Sequence, residues 1–291
     1  MGVGISKVSL ETGLKRGILS LYRPVKTLYR RATWSYRVFP EVLIIGAQKA
    51  GTTSLFWYMG LHPQLVPSFK KEVHYFDGGN TGETDNFAKG EAWYRSHFPL
   101  GKNVGEHQKV FEASPLYLFH PLVAERIHNR APDAKLIVIL RNPTDRAISH
   151  YYHEVKMGTE TLPLMQALQS EEQRLESILL EGQYHKAEFG RYSYLARGKY
   201  YEQLQAYLKY FDLENILIIN SELLFSQPEV ALKVVFDFVG VDPTFFADDL
   251  KPMNVGIKKS EDLVEVRRFL DSYFKPHNEK LFRFLGEDYG W

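Results

Sequence analysis

Three short apolar runs, at residues 42–45, 135–140 and 215–219, are separated by longer stretches whose apolar residues recur at three- and four-residue steps. Runs of this length between polar or glycine-rich punctuation read as buried parallel strands, and the longer stretches read as helices packed on them. Helical patterns cover residues 53–60, 121–129, 143–152, 164–181, 200–210, 228–239 and 261–285. The alternation predicts an α/β fold, a P-loop-like doubly wound parallel sheet flanked by helices. Residues 78–90 are polar and rich in glycine, and read as a mobile loop near the site. No internal repeat, low-complexity tract or linker divides the chain, which gives a basic N-terminal arm over residues 1–40 and one domain over 41–291.

The first apolar run leads into Gly46-Ala-Gln-Lys-Ala-Gly-Thr-Thr-Ser54. A strand, a glycine-rich loop and a helix start in that order build a nest of backbone N–H groups for an anion. A Walker loop carries its lysine directly after the second glycine, beside a hydroxyl that holds magnesium. Here Gly46 and Gly51 keep the glycine spacing, but Thr52 follows Gly51 and the lysine lies inside the loop as Lys49. The anion cradle remains, and its ligand need not be ATP. The strand at 135–140 ends in Arg141, where a Walker B strand would offer a carboxylate for magnesium. Arg141 and Ser149, two helical turns apart, form a second candidate phosphate site, a charged fork with a hydroxyl. A nucleotide with a 5'-group at one loop and a 3'-phosphate at the other satisfies both.

Composition adds limits. The 291 residues are 44% hydrophobic, enough for a sizeable core, and their 36 basic and 35 acidic side chains nearly cancel. Global charge therefore gives no reason to expect nucleic acid as a partner, and anion binding has to be local. The absence of cysteine excludes disulfides, thiol nucleophiles and cysteine-held zinc. With no apolar span of membrane length and no signal-peptide pattern, the expectation is a cytoplasmic protein. The arm departs from this balance, since Lys7, Lys15, Arg16, Arg23, Lys26, Arg30, Arg31 and Arg37 face one acid, Glu11. Leu14, Ile18, Leu21, Val25 and Leu28 recur at helical spacing within it, although Pro24 interrupts the pattern. The arm reads either as an extension packed on the domain or as a peripheral contact with an anionic membrane.

Taken together, G-A-Q-K-A-G-T-T-S at 46–54, K-E-V-H-Y-F-D at 71–77, F-E-A-S-P at 111–115 and R-N-P-T-D-R-A-I-S at 141–149 resemble the sulfotransferases that use 3'-phosphoadenosine 5'-phosphosulfate (PAPS), particularly the heparan-sulfate type and its bacterial relatives. Residues 197–204 and 274–281 also resemble that family's pattern. The resemblance implies that Lys49, Ala50, Gly51, Thr52, Thr53 and Ser54 bind the 5'-phosphosulfate and that Arg141 and Ser149 bind the 3'-phosphate. It assigns a late cofactor loop to residues 256–260, with Lys258 and Lys259, and implies adenosine 3',5'-bisphosphate as product with no metal.

Sulfuryl transfer needs a base for the acceptor proton and positive charge where the leaving phosphate gains negative charge. Lys49 suits the second task. By resemblance Glu72 is the general base, with His74 as competitor because its ordinary pKa lies nearer neutrality. Lys71, His74, Asp77 and Ser114 are candidates to line the acceptor site, and Lys70 to attract an anionic acceptor. The segment 190–201, with Tyr194, Arg197 and Tyr200, either covers the nucleotide and shapes the acceptor cleft or packs a helix on the core. Heparan-type members commonly carry a lysine after the glutamate of the third motif, where this chain has Glu112-Ala113-Ser114-Pro115, so the acceptor is a glycan or a small-molecule metabolite. Two other readings of the loops are a P-loop small-molecule or nucleotide kinase, requiring ATP and magnesium, and a membrane-associated nucleotide-binding protein without turnover.

Overall fold

The computed structural model describes residues 24–79, 82, 84–247, 250 and 263–291. Five parallel strands, β1 (Val42–Gly46), β2 (Leu65–Pro67), β3 (Lys109–Ala113), β4 (Lys135–Leu140) and β5 (Ile216–Asn220), form one sheet in the order β2-β3-β1-β4-β5. The three apolar runs are β1, β4 and β5, to within a residue. Two strands escape the apolar-run rule. β2 is a three-residue edge strand that ends in Pro67, which an edge tolerates, and β3 carries Glu112 in mid-strand with its side chain fully buried.

The helices are α1 (Thr52–Met59), α2 (Gly90–Arg95), α3 (Val123–His128), α4 (Pro143–Lys156), α5 (Leu164–Gln169), α6 (Glu171–Glu181), α7 (Ala187–Tyr192), α8 (Tyr200–Tyr207), α9 (Ser221–Ser226), α10 (Pro228–Val239) and α11 (Val264–Leu285). The single helix expected over 164–181 is two, divided at Ser170. The break turns the Glu171 carboxylate inward, where it accepts the backbone N–H groups of Leu195 and Ala196. α4 runs one turn beyond its expected end; Asn142 caps it by accepting from Thr144 N at 2.9 Å, and Pro143 occupies its first turn, where a missing N–H costs nothing. α8 stops at Tyr207, three residues short of the expectation, because the chain turns there and Tyr210 and Phe211 both donate their N–H groups to Tyr207 O. Within the loop expected at 78–90, residues 87–89 make a 3-10 turn.

At β1 the order of strands reverses: the chain fills β2 and β3 on one side and β4 and β5 on the other. In open α/β sheets, ligands bind outside the carboxyl ends of the strands at such a switch point. The described end of the arm packs on the domain. Residues 24–32 are helical, and the buried Arg37 donates to Phe98 O at 2.7 Å and to Arg30 O at 3.0 Å. Among the described residues no helix is long and apolar enough to cross a membrane.

Close packing at Gly198 ties α11 to the start of α4. A Cβ there would stand 2.4 Å from Phe274 Cε1 and 3.0 Å from Pro143 Cβ. Gly198→Ala should therefore cost about 1–3 kcal/mol through overpacking. Calorimetry should record a loss of about 2–4 °C in Tm per kcal/mol; an unchanged Tm would show that Phe274 yields freely.

Candidate active site

The carboxyl ends of the strands open into one cleft of about 960 Å³. Lys49, Gly51, Thr52 and Thr53 come from the turn after β1, Glu72 and His74 from the segment after β2, Pro115 and Leu116 from the end of β3, Arg141 from the end of β4, and Ser221 from the end of β5. α4 contributes one face, because Asp145, Ser149 and His153 recur at four-residue steps and all line the cleft.

The turn after β1 is tightly determined. Gly46 lies so close to Leu118 that a Cβ would be 2.6 Å from Leu118 Cβ. Gly51 has φ 111°, and a Cβ on it would meet the Phe225 ring at 2.9 Å, so glycine is required on both counts. No side chain caps α1 and no acid occupies its first turn, which leaves the positive end of the helix directed at the cleft for an anion. Arg141 Nη1 donates to Lys49 O at 3.0 Å, joining the two expected phosphate loops. Burial, and then the neighbouring Arg141 charge, draw the Lys49 ammonium below the usual lysine value.

The segment after β2 runs on beside β3, with Glu72 N donating to Ala113 O at 2.9 Å. His74 is the centre of a chain of polar contacts. Its Nδ1 meets Asp77 Oδ2 at 2.6 Å and its Nε2 meets Glu72 Oε2 at 3.5 Å, while Lys71 Nζ pairs with Glu72 Oε1. Burial opposes a charge on His74, but the Asp77 carboxylate and then Glu72 outweigh it and raise the imidazole to about 10. Burial likewise opposes ionisation of Glu72, and the His74 hydrogen bond with the Lys71 charge overcomes it, taking the carboxyl down to about 2. The Glu72 side chain is 40% exposed, so it remains open to a partner entering from the cleft. Lys49 (φ 70°), Glu72 (φ 62°) and His74 (φ 55°) are the three non-glycine residues with positive φ among those described. Such backbone is disfavoured by about 1–2 kcal/mol per residue and persists where the surroundings over-determine it, commonly at functional sites.

Several expected residues stand elsewhere. Ala50, Ser54, Asp77 and Ser114 are buried to the last few per cent and do not face the cleft. Asp77 instead backs His74 and accepts Gly79 N at 3.0 Å; Ser114 accepts His74 N at 3.2 Å. Lys71 reaches the site through Glu72 and is not part of the cleft wall. Tyr194 and Tyr200 are buried, their hydroxyls donating to Glu160 Oε2 and Arg141 O at 2.8 Å each, whereas Arg197 lines the cleft and donates to Gln48. Lys258 and Lys259 lie outside the described residues. Asp145 and His153 were accessible from the four-residue spacing around Ser149. Arg191 on α7 and Phe225 on α9 also line the cleft, and no local signal marks them, since remote segments bring them there.

The model of the sulfotransferase domain family matches residues 39–255. The membrane-associated sulfotransferase kil1 of Dictyostelium discoideum is 26% identical over 87% of this chain and 66% of its own length. Human heparan sulfate glucosamine 3-O-sulfotransferase 6 is 31% identical over 88% of this chain and 74% of its own. This chain therefore spans about two thirds to three quarters of these two relatives. The crystal structure of a sulfotransferase from Alicyclobacillus acidocaldarius superposes with a TM-score of 0.70 at 30% identity, covering 86% of this chain and 97% of that one.

Proposed function

We propose, from the premise that this chain belongs to the sulfotransferase domain family, that it transfers a sulfuryl group from PAPS to an acceptor hydroxyl on a carbohydrate. The observation that carries the proposal is that Glu72, Lys49 and Arg141 open into one cleft at the switch point of the sheet, where a base and two anion sites can serve one reaction. The glycan acceptor is taken from the human relative, whose name specifies heparan sulfate glucosamine. Residues 41–291 would form the catalytic domain. The basic arm would add peripheral attachment to an anionic membrane, a role consistent with the membrane-associated Dictyostelium relative.

The residues present fit such a donor. Its two separated anionic groups match the uncapped start of α1 with Lys49, Gly51, Thr52 and Thr53, and the Arg141–Ser149 pair. Lys258 and Lys259 belong to the same proposal as cofactor-binding residues. When bound, PAPS supplies the sulfuryl group and a phosphate leaving group. Glu72 is assigned as the base that accepts the hydroxyl proton. His74, held as an imidazolium up to about pH 10, is assigned the task of orienting Glu72, since a group already protonated cannot accept that proton. Lys49 is assigned to the negative charge that grows on the leaving phosphate.

Calorimetric titration tests the cofactor. Adenosine 3',5'-bisphosphate should bind without magnesium and more tightly than ADP, and Arg141→Ala should remove that preference by weakening the bisphosphate about 30-fold or more, as loss of one partner of a buried charged contact does. Preference for ADP with magnesium would overturn the proposal in favour of a kinase.

A further inference from the structure

Glu112 in β3 touches neither the cleft nor any residue assigned a chemical task, and its carboxylate is fully buried. Three hydroxyls converge on it: Tyr94 and Tyr117 donate to Oε1 at 2.6 and 3.0 Å, and Ser114 donates to Oε2 at 3.1 Å. Two of these hydroxyls look the other way as well. Ser114 Oγ accepts the backbone N–H of His74 at 3.2 Å, and the Tyr117 hydroxyl accepts those of Tyr75 at 3.0 Å and Phe76 at 3.4 Å. Residues 72–75 have no regular secondary structure and contain two of the three positive-φ positions. Glu72 N is taken by Ala113 O, whereas the N–H groups of His74, Tyr75 and Phe76 are satisfied by these two side-chain hydroxyls.

A hydroxyl has one proton and two lone pairs. Because an ionised carboxylate only accepts, it fixes the proton of Ser114 and the proton of Tyr117 on the Glu112 side and leaves their lone pairs for the backbone. We propose that Glu112 is a positioning residue: through Ser114 and Tyr117 it holds the backbone of residues 74–76, and with it the His74 imidazole that orients Glu72. The inference rests on the assignment of Glu72 and His74 above for its catalytic meaning, while the hydrogen-bond relay itself does not depend on it. Burial outweighs the three hydroxyl donors and raises the Glu112 carboxyl to about 7, so the ionised form that fixes these protons is the form present above that value, and the relay is tested well above it.

Glu112→Gln preserves shape but replaces one acceptor oxygen by a donor, which removes the acceptor that fixes one hydroxyl's proton and frees that proton to turn toward the N–H the hydroxyl now serves. Amide hydrogen exchange in the full chain reads the result directly. The amides of His74, Tyr75 and Phe76 should exchange about tenfold faster or more, relative to the amides of β1 and β4. Ser114→Ala should accelerate His74 alone, leaving Tyr75 and Phe76 at the wild-type rate. Equal acceleration throughout the sheet, or no change at these three positions, overturns the positioning role; if Glu112→Gln does not fold, the Ser114→Ala pattern decides.

The catalytic meaning is tested with sulfuryl transfer from PAPS to a heparan oligosaccharide. Glu112→Gln should lower kcat by about tenfold or more with KM for PAPS unchanged, and should have little further effect in a His74→Ala background. Losses that multiply in the double variant would show that Glu112 does not act through His74. Absence of transfer by the wild-type protein would instead count against the sulfotransferase proposal, with the exchange pattern still judging the relay.

Discussion

Glu72→Gln should lower sulfuryl transfer by about 10²–10⁴-fold, the usual contribution of a general base, while leaving the affinity for adenosine 3',5'-bisphosphate unchanged. The substitution is nearly isosteric and retains one oxygen toward Lys71 or His74, so the loop after β1 and the Arg141 fork are undisturbed. What disappears is the ability to accept a proton. A carboxyl at about 2 is a weak base at rest, yet the hydroxyl proton becomes strongly acidic as its oxygen bonds to sulfur, and a positioned carboxylate suffices at that moment. The pH profile discriminates between the two candidate bases. With Glu72 ionised above about 2 and His74 protonated to about 10, neither candidate base titrates near neutrality: transfer should fall at alkaline pH as His74 loses its proton, and any step near 7 should belong to Glu112 and vanish in Glu112→Gln. Stability follows the same signs. The raised His74 value contributes fully below its ordinary 6.5 and is lost as pH rises toward 10; the depressed Glu72 value contributes above 4.5 and is lost as pH falls toward 2. Transfer that rises with pH through 6.5, with unchanged turnover in Glu72→Gln, would make His74 the base and sink the assignment to Glu72.

The sequence discloses what is local. The loop after β1 and the turn after β4 each lie within a dozen consecutive residues, so strand, turn residue and charge can be read together, and both do line the cleft. β2 and β3 were concealed because a proline and a buried glutamate interrupt their apolar runs. Ser170 carries no breaker signal; the division between α5 and α6 coincides with the Glu171 carboxylate's contact with the distant N–H groups of Leu195 and Ala196, which no local pattern announces. In the segment 71–77 the residue types point to the site, but depth does not follow from type. Asp77 stands behind His74 because Glu72 and His74 adopt left-handed backbone, which turns alternate side chains away from the direction an extended segment would give them, while Ser114 comes in from the end of β3. Phe225 and Arg191 arrive from α9 and α7, far along the chain, and only the folded sheet brings them to the cleft.

The strain at Lys49 makes it possible to separate the cost of the active-site loop from its chemistry. At φ 70° an L-residue is disfavoured by about 1–2 kcal/mol, a cost glycine does not incur, whereas glycine loses about 0.5–1 kcal/mol of extra chain entropy on folding. The two terms nearly balance, so Lys49→Gly should fold with a Tm equal to or slightly above the wild-type value. Lys49→Ala keeps the strained φ without the ammonium and should not exceed Lys49→Gly in Tm. Both variants lose the cation opposite the leaving phosphate, and single-turnover transfer should fall by about 10²–10³-fold in each, beyond whatever affinity for PAPS is lost. Equal catalytic losses with different stabilities would assign the effect to charge, since the loop in Lys49→Gly is relaxed and in Lys49→Ala is not. Retained transfer in Lys49→Gly would mean that the uncapped start of α1 and Arg141 stabilise the leaving group without Lys49, and the lysine would then be a ligand of the resting cofactor only. The fold supports the first outcome: Arg141 Nη1 is engaged at Lys49 O, so the backbone of residue 49 is held by the neighbouring loop whichever side chain it carries. A position whose backbone is fixed from outside can keep an unfavourable φ, and a lysine there has its ammonium brought to the cleft by the same turn that strains it.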